Sequence, residues 1–381
     1  MPIGDIGDSI QQYEFNSTYG RHPTIQCVRP NLYCIGYEKT GSKAQVETYF
    51  ISDAGVITTP AEATLEISTA AWLFNQSCIR PAQNFVLVNA GSGGSLYLEA
   101  VIVANDGTLS QHANHACYLD PFDSQWFNAV YQRGSIITIF CRHGNDKPYV
   151  FTNVVAANGE VTDPIEDWDL IEDTTCTRVQ GIRISEGVAL IVYHRGGVDL
   201  YARPVGIAAD GTISGLAQAT TQISTVDGPP IRLIHLTGDW FLLSIEGPDT
   251  ELNLCAFQCA ADGTITVPAN NSYLVFDGRH KQAQITKLTD NMISIFSTDA
   301  SDNAWLQSVQ ITLSDPVVWS VHASKNIGPD INNAWGSLLV ASGVLVLSYS
   351  DVDDDGWLWT YGLTTEEPAL SHNELIMGIG P

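Results

Sequence analysis

A short turn that recurs every 52 residues, together with four strand-like segments in each interval, predicts an all-β fold: a single seven-bladed β-propeller of four-stranded antiparallel blades. The turn is centred on Gly55, Gly107, Gly159, Gly211 and Gly263. Asp-Gly and Asn-Gly pairs supply the positive φ angles that a tight β-hairpin requires. We therefore interpret the turn as hairpin chemistry that needs no ligand and that marks the repeat.

The fourth interval shows the strands in order. Residues 179–184 form a first strand, A, and residues 188–193 form an apolar second strand, B. Residues 198–205 form strand C, the Asp-Gly turn follows, and a short strand D ends at residue 224. Near-continuous apolar runs such as strand B are typical of strands buried on both faces. The B strand returns in seven places: 32–37, 85–88, 136–140, 188–193, 240–245, 292–296 and 344–349.

The seven units predict one domain over residues 1–381, in place of the two or three domains that this length usually suggests. Six or eight blades, a pair of β-sandwiches and a β-solenoid are the alternatives. In the last two units the turn glycine is absent, but Trp305 and Trp357 keep the interval of 52 residues. The blades are predicted at about 17–68, 69–120, 121–172, 173–224, 225–276, 277–328 and 329–381.

Closing such a ring requires that its last edge strand be covered, because an open edge invites aggregation. Counting back one interval aligns residues 10–16 with the D strands of later units. We expect residues 10–16 to form the outermost strand of the seventh blade. The tail at residues 370–376 is the competing candidate for that place.

Composition limits the classes of partner. The formal net charge is −25, from 42 acidic and 17 basic residues. Such a surface repels phosphate backbones, which argues against nucleic acid and anionic membranes as partners. No apolar run approaches the ~20 residues of a membrane span. The N-terminus lacks the basic and apolar regions of a signal peptide, so we expect synthesis in a cytoplasm, with a virion as one destination. The eight cysteines lack zinc-site spacing and are expected to be core residues.

Ligands of propellers usually bind where the D–A and B–C loops meet at one end of the channel, since those loops vary on a rigid scaffold. Arginines, histidines and tryptophans near that end could contact a protein or glycan partner, with the aromatic rings as platforms for sugars. The competing interpretation of the basic side chains is that they pair with other residues between blades. The competing interpretation of the aromatic side chains is that they pack in the core between blades. The candidate ligand-binding residues are Arg21, His22, Trp72, Trp126, His143, His194, Arg195, Arg279 and Trp335.

One B–C loop has the pattern of a cation site. Asp351, Asp353 and Asp355 alternate before Gly356, so their carboxylates could converge on calcium, as in the first half of an EF-hand loop. The twelfth position is Gly362, where an EF-hand has glutamate. The six residues from 351 to 356 resemble the calcium hairpin of integrin-type propeller repeats, which implies calcium without a following helix. An acidic turn without metal is the alternative.

The recurring turn also resembles the Asp-box of sialidases and related propellers. Ser52, Asp53 and Gly55 match that pattern in part, as do Asp210, Gly211 and Thr212, but the closing tryptophan is missing in every copy. The resemblance implies a structural role for the turn and keeps open a glycan-active hydrolase of the sialidase or arabinanase kind. A sialidase would also need an arginine triad, and nothing in the sequence groups its arginines in that way.

The leading hypothesis is a non-enzymatic propeller that binds or assembles, such as a surface or attachment component of a virus or phage particle. A protein or glycan partner would sit on the loop end, and the chain could form homo-oligomers. The glycan hydrolase is the first alternative. A cytoplasmic protein-interaction scaffold is the second, although the WD signature is missing.

Overall fold

Apolar strands joined by tight turns build seven antiparallel sheets in a ring, which is a seven-bladed β-propeller. The computed structural model describes residues 5–40, 43–67, 72–80, 84–91, 96–120, 125–162, 167–196, 199–215, 219–247, 251–276, 280–329, 331–340 and 343–363. The predicted all-β class and the predicted number of blades are both confirmed.

The strands are numbered in chain order. The first five are β1 (Ile6–Asn16), β2 (Arg21–Arg29), β3 (Leu32–Lys39), β4 (Lys43–Phe50) and β5 (Ala63–Glu66). Blades 2 and 3 contain β6 (Trp72–Arg80), β7 (Asn84–Gly91), β8 (Leu96–Val103), β9 (Leu109–Ser110), β10 (Ala116–Asp120), β11 (Gln125–Arg133), β12 (Ile136–Arg142), β13 (Pro148–Val154) and β14 (Asp167–Leu170). Blades 4 and 5 contain β15 (Cys176–Ser185), β16 (Val188–Arg195), β17 (Asp199–Ile207), β18 (Ile213–Gly215), β19 (Thr221–Ser224), β20 (Pro230–Thr237), β21 (Trp240–Glu246), β22 (Leu252–Cys259), β23 (Ile265–Thr266) and β24 (Ser272–Phe276). Blades 6 and 7 contain β25 (His280–Thr289), β26 (Met292–Asp299), β27 (Ala304–Thr312), β28 (Val318–Gly328), β29 (Ile331–Val340), β30 (Val344–Asp351) and β31 (Gly356–Leu363).

Blade 1 consists of β2 to β5. Blades 1 to 6 place their strands in chain order from the centre outwards, whereas blade 7 has the order β29, β30, β31 and then β1, and each pair is antiparallel. In blades 2, 4 and 5 the outer strand is split into two short pieces that pair with the same third strand. The innermost strands are β2, β6, β11, β15, β20, β25 and β29. Each contacts the next around the ring, and β29 contacts β2. The ring is therefore closed.

The hydrophobic core lies between blades. Seven apolar clusters occur in the described residues, and each joins the facing sides of two neighbouring blades. The second strands are buried along nearly their whole length, as their continuous apolar sequences predict. The seven cysteines whose side chains are described are all buried and free. Burial therefore accounts for these cysteines as core residues, and Cys78 lies outside the described side chains.

The recurring glycine turn links neighbouring blades as well as strands. All five glycines have φ between 79° and 90°, the left-handed region that favours glycine. In three turns the glycine carbonyl accepts a hydrogen bond from a buried threonine on the third strand of the preceding blade, which we call the threonine latch. The latches are Thr48 to Gly107 at 2.6 Å, Thr152 to Gly211 at 2.6 Å and Thr360 to Gly55 at 2.8 Å.

Strand β1 is the outermost strand of blade 7, so the two ends of the described chain meet in one sheet. It runs antiparallel to β31, from the pair Ile6 and Leu363 to the pair Asn16 and Gly356. Residues 10–16 lie within this strand. The side chain of Gln11 also reaches blade 1, where its Oε1 accepts from the Ile57 amide at 2.7 Å. The competing tail at residues 370–376 lies outside the described residues.

Candidate functional site

The loop face is the end of the ring where the innermost strands begin and the second strands end. It carries the B–C and D–A connections, and the sequence predicts a binding site there. Five candidate residues with described side chains lie on this face: Arg21, His22, His143, His194 and Arg195. They fall into two groups, one at blade 1 and one at blades 3 and 4.

At blade 1, both candidates have acidic neighbours. The Arg21 guanidinium forms an ion pair with Asp354 of blade 7, which raises the pKa of Arg21, and it also lies over the Tyr19 ring at 4.5 Å. His22 has φ of 53°, and its Nδ1 lies 3.1 Å from Oε2 of the buried Glu38. Arg21 therefore joins blade 1 to blade 7 across the seam where the ring closes.

At blade 4, His194 is held between two polar groups. Its Nδ1 lies 2.8 Å from Thr177 Oγ1, and its Nε2 lies 3.1 Å from Asp227 Oδ1. Burial lowers the pKa of His194, and the Asp227 carboxylate only partly offsets that effect. The neutral ring that donates from Nε2 to Asp227 and accepts from Thr177 satisfies both contacts.

The connection that carries Asp227 needs glycine beside it. A Cβ atom on Gly228 would lie 1.8 Å from the carbonyl oxygen of Glu246, on the second strand of blade 5. The Glu246 carboxylate in turn pairs with Arg178 of blade 4 at 3.0 Å. Close packing of two backbones therefore places these side chains across the seam between blades 4 and 5.

The connection between blades 3 and 4 gathers the remaining candidates. Arg195 pairs with Glu172 at 3.2 Å and lies over the Tyr201 ring at 5.0 Å. The next residue of that connection, Asp173, pairs with Lys147. Lys147 belongs to the same loop as His143, whose ring packs on Tyr149 with centroids 4.8 Å apart. His143, His194 and Arg195 thus border one segment of the loop face.

Four candidates are described only in part or not at all. Trp72 opens β6 and Trp126 is the second residue of β11, so their backbones lie at the loop face, whereas Trp335 is the fifth of the ten residues of β29 and lies within that strand. Their side chains are outside the described structure, and Arg279 lies outside the described residues altogether. Ligand stacking on these rings therefore remains a prediction.

The first aspartate of the acidic loop of blade 7 has a structural role, because it forms the hydrogen bonds that hold the loop. Asp351 Oδ1 accepts from the amides of Asp353 at 3.0 Å and Asp355 at 2.9 Å, and its Oδ2 accepts from Trp357 Nε1 at 2.9 Å. Blade 6 repeats the arrangement, with Asp299 accepting from the Trp305 indole at 2.9 Å. The aspartate and tryptophan that keep the 52-residue interval are therefore hydrogen-bonded to each other.

The glycine of this loop has a different cause from the one that the calcium pattern suggests. The residue with positive φ is Asp354, at 69°. A Cβ atom on Gly356 would lie 2.3 Å from the Phe15 ring and 3.0 Å from the Gly20 Cα. Gly356 is thus required by the close approach of the end of β1 and of the segment that follows it. Across the described ranges, no group of three or more His, Cys, Asp or Glu side chains is arranged to hold a metal ion.

The sequence reasoning missed the acidic partners. Glu38, Glu172, Asp227, Glu246 and Asp354 each lie at the end of a second strand or in a loop of the same face. Aligning the units by the 52-residue interval could have placed these carboxylates on the loop face. Their pairing with particular bases depends on how neighbouring blades are oriented, which a single repeat does not reveal.

No known protein family and no curated protein matches the chain by sequence. Solved structures do match its fold. BBS1N, from its complex with ARL6DN, matches with a TM-score of 0.52 and 12% identity over 95% of this chain and 98% of that chain. Drosophila Semaphorin 1b, extracellular domains 1-2, matches with a TM-score of 0.54 and 10% identity over 94% of this chain and 88% of that chain.

Sqt1 from Chaetomium thermophilum matches with a TM-score of 0.51 and 11% identity, over 94% of this chain and 99% of that chain. A further match, at a TM-score of 0.54, comes from the complex of Drosophila Plexin A with Semaphorin 1b. At these identities the likeness establishes the propeller fold alone. In the part of the chain that the structure describes, no helix is long and apolar enough to cross a bilayer.

Proposed function

We propose that this chain is a non-enzymatic propeller that binds a protein partner through its loop face. The observation that supports this most is the set of ion pairs between loops there: Arg21 with Asp354, Arg178 with Glu246 and Arg195 with Glu172. Each arginine pairs with a different carboxylate on a different part of the ring. A sialidase-like hydrolase needs three arginines around one carboxylate of its substrate.

The paired loops suit binding because their side chains are held in place before a partner arrives, so little ordering is required on association. Two of the structurally similar propellers come from complexes, BBS1N with ARL6DN and Semaphorin 1b with Plexin A. Those complexes make a protein partner a reasonable choice among the ligands of a propeller.

Site-specific photo-crosslinking tests the proposal in cells that produce the protein. A crosslinking amino acid is placed at the exposed B–C loop residues Val352 and Ser301, and at the exposed turn residues Asn158 and Asp262 of the opposite face as matched controls. We expect one protein to be captured from both loop positions and from neither control. The purified partner should then bind the chain, and Arg195→Glu should weaken that binding.

Equal capture from both faces would contradict a loop-face site. Hydrolysis of chromogenic glycosides by the purified chain, abolished by Arg21→Ala or Arg195→Ala, would support the hydrolase in its place.

We propose a virion as the place of assembly, on the grounds of the acidic polar surface. If the chain is a particle component, the captured partner is a capsid or tail protein, and the chain sediments with particles in a density gradient. A chain that stays at the top of the gradient contradicts this assignment.

Glycan binding and homo-oligomer formation also stay predictions, which glycan arrays and analytical ultracentrifugation would test.

Calcium at the loop of residues 351–356 is a separate proposal. Burial and the carboxylates of Asp351, Asp353 and Asp354 raise the pKa of Asp355, so a cation there would relieve repulsion. We expect calcium to raise the melting temperature and Asp353→Asn to remove the rise. Asp210→Asn, in an exposed turn of the opposite face, is the control that should respond like the natural chain. A melting temperature that calcium leaves unmoved favours the acidic turn without metal.

A further inference from the structure

The innermost strands differ in charge from the rest of the chain. None of the 42 acidic residues lies in these seven strands, which carry nine of the 17 lysines and arginines. The second and third strands do contain acids, such as Glu38 and Glu47. The strands nearest the centre of this acidic protein therefore carry basic residues and no acidic ones, and some of their basic residues pair with carboxylates in the loops or at a strand end.

One level of these strands is polar in six blades of seven. Residues 24, 76, 128, 180, 232, 284 and 336 are spaced by 52 and pair with second-strand residues that have the same spacing. They therefore lie at one height around the axis. The level consists of Thr24, Gln76, Asn128, Gln180, Arg232 and Gln284, with Gly336 in the seventh blade.

Several side chains of this level are partly exposed beside the channel. Gln180 and Gln284 keep partial exposure although their chain neighbours on both sides are buried, and Arg232 keeps it beside the buried Leu233. An innermost strand has only one neighbour in its sheet, so its free edge borders the channel. The Asn128 side chain bonds to the next innermost strand. Its Nδ2 donates to the Gly181 carbonyl at 2.6 Å, and its Oδ1 accepts from the Gly181 amide at 2.8 Å. It thereby satisfies the free edge of the next innermost strand.

Arg232 is the charged member of the level, and it differs from the arginines of the loop face. Arg21 and Arg178 have carboxylate partners. Within the described parts of the chain, the Arg232 guanidinium has no hydrogen-bond or ion-pair partner, and burial alone lowers its pKa. A guanidinium has five N–H donors in a planar fork that matches an oxyanion. Its donors therefore have no acceptor among the described residues.

We propose that the polar level of the channel is an oxyanion site, in which Arg232 binds a carboxylate or phosphate group. The group belongs either to a free small anion or to an acidic side chain of a partner that reaches in from the loop face. The free-anion case stands apart from the loop-face partner, whereas the side-chain case rests on that proposed partner.

Isothermal titration of the full chain at fixed ionic strength tests the site, with phosphate, acetate and a short Asp- and Glu-rich peptide as probes. We expect saturable binding of at least one probe, and a loss of about tenfold or more in affinity for Arg232→Gln. This variant should fold, because glutamine occupies the same level in blades 4 and 6. Arg142→Gln removes the same charge from the loop face and should bind within about twofold of the natural chain.

The probes separate the two sources of the group. Tight phosphate or acetate binding assigns a free anion, whereas a peptide that binds about tenfold more tightly than acetate assigns a partner side chain. A crystal soaked in selenate should show anomalous density beside Arg232. The proposal is overturned if the natural chain binds no probe saturably, or if Arg232→Gln binds every probe as the natural chain does.

Discussion

At the scale of single residues, stability depends on buried polar contacts between blades. Thr152 is fully buried, and its hydroxyl donates to the Gly211 carbonyl of the next blade. Such a hydrogen bond contributes modestly in itself, but a buried carbonyl left without its donor carries a desolvation cost. The main cost of losing the latch is therefore the buried carbonyl left without a donor, and the hydrogen bond itself contributes less to stability.

Thr152→Val tests one latch, because valine keeps the shape of threonine and removes the hydroxyl. We expect a loss of about 1–2 kcal/mol in the free energy of unfolding, measured by denaturant titration. Thr58→Val, at an exposed position, is the matched control and should change stability by less than about 0.5 kcal/mol. Equal effects of the two changes would show that the latch does not stabilise the ring.

His194 gives stability a defined pH dependence. Its pKa is lowered in the folded chain, so the unfolded chain binds the proton more readily, and stability is lost as pH falls below the ordinary histidine value of about 6.5. We expect His194→Gln to reduce the drop in melting temperature between pH 7 and pH 5. A steeper drop in His194→Gln would reverse the assigned direction.

At the scale of elements, the outer strand of blade 7 connects the start of the chain to its end. β1 pairs with β31 along its length, Tyr13 and Phe15 pack on Tyr49 and Tyr37 of blade 1, and Gln12 Nε2 donates to the Tyr349 hydroxyl at 2.6 Å. One strand thus covers the edge of blade 7 and touches blade 1.

Deleting residues 1–16 is expected to lower the melting temperature sharply, because it uncovers β31 and removes the apolar contacts to blade 1. Deleting residues 1–4 keeps β1 whole and should leave the melting temperature nearly unchanged. Adding a synthetic peptide of residues 5–17 should restore part of the loss. Unchanged melting of the longer deletion would contradict the role of β1 in closing the ring.

At the scale of the whole molecule, the net charge of −25 makes the folded chain repel itself. Salt screens that repulsion, and it also weakens the exposed ion pairs of the loop face, each of which contributes only about 0–1 kcal/mol. The excess of negative charge outweighs these few pairs. We therefore expect the melting temperature to rise by a few degrees between about 10 mM and 500 mM sodium chloride. A fall would show that the ion pairs dominate.

The architecture was readable from the sequence because one interval runs through every blade. Gly55, Gly107 and their successors set the interval, and the apolar B strands set the number of blades. The same interval would have revealed the level of Arg232, had the innermost strands been aligned residue by residue. The partners of Arg21 and His194 were not readable, because Asp354 and Asp227 belong to other connections and are brought near by the orientation of the blades.

The pairing of β1 with β31 also decides how the ring responds to force. Ile6 lies opposite Leu363, so the two strands leave the sheet at the same end. A force that pulls residue 6 away from residue 363 breaks the hydrogen bonds between β1 and β31 one after another. A force along the strands would load all of them at once in shear. The seam that closes the ring against thermal unfolding is therefore the seam that yields first under tension, and it yields from the Ile6 end.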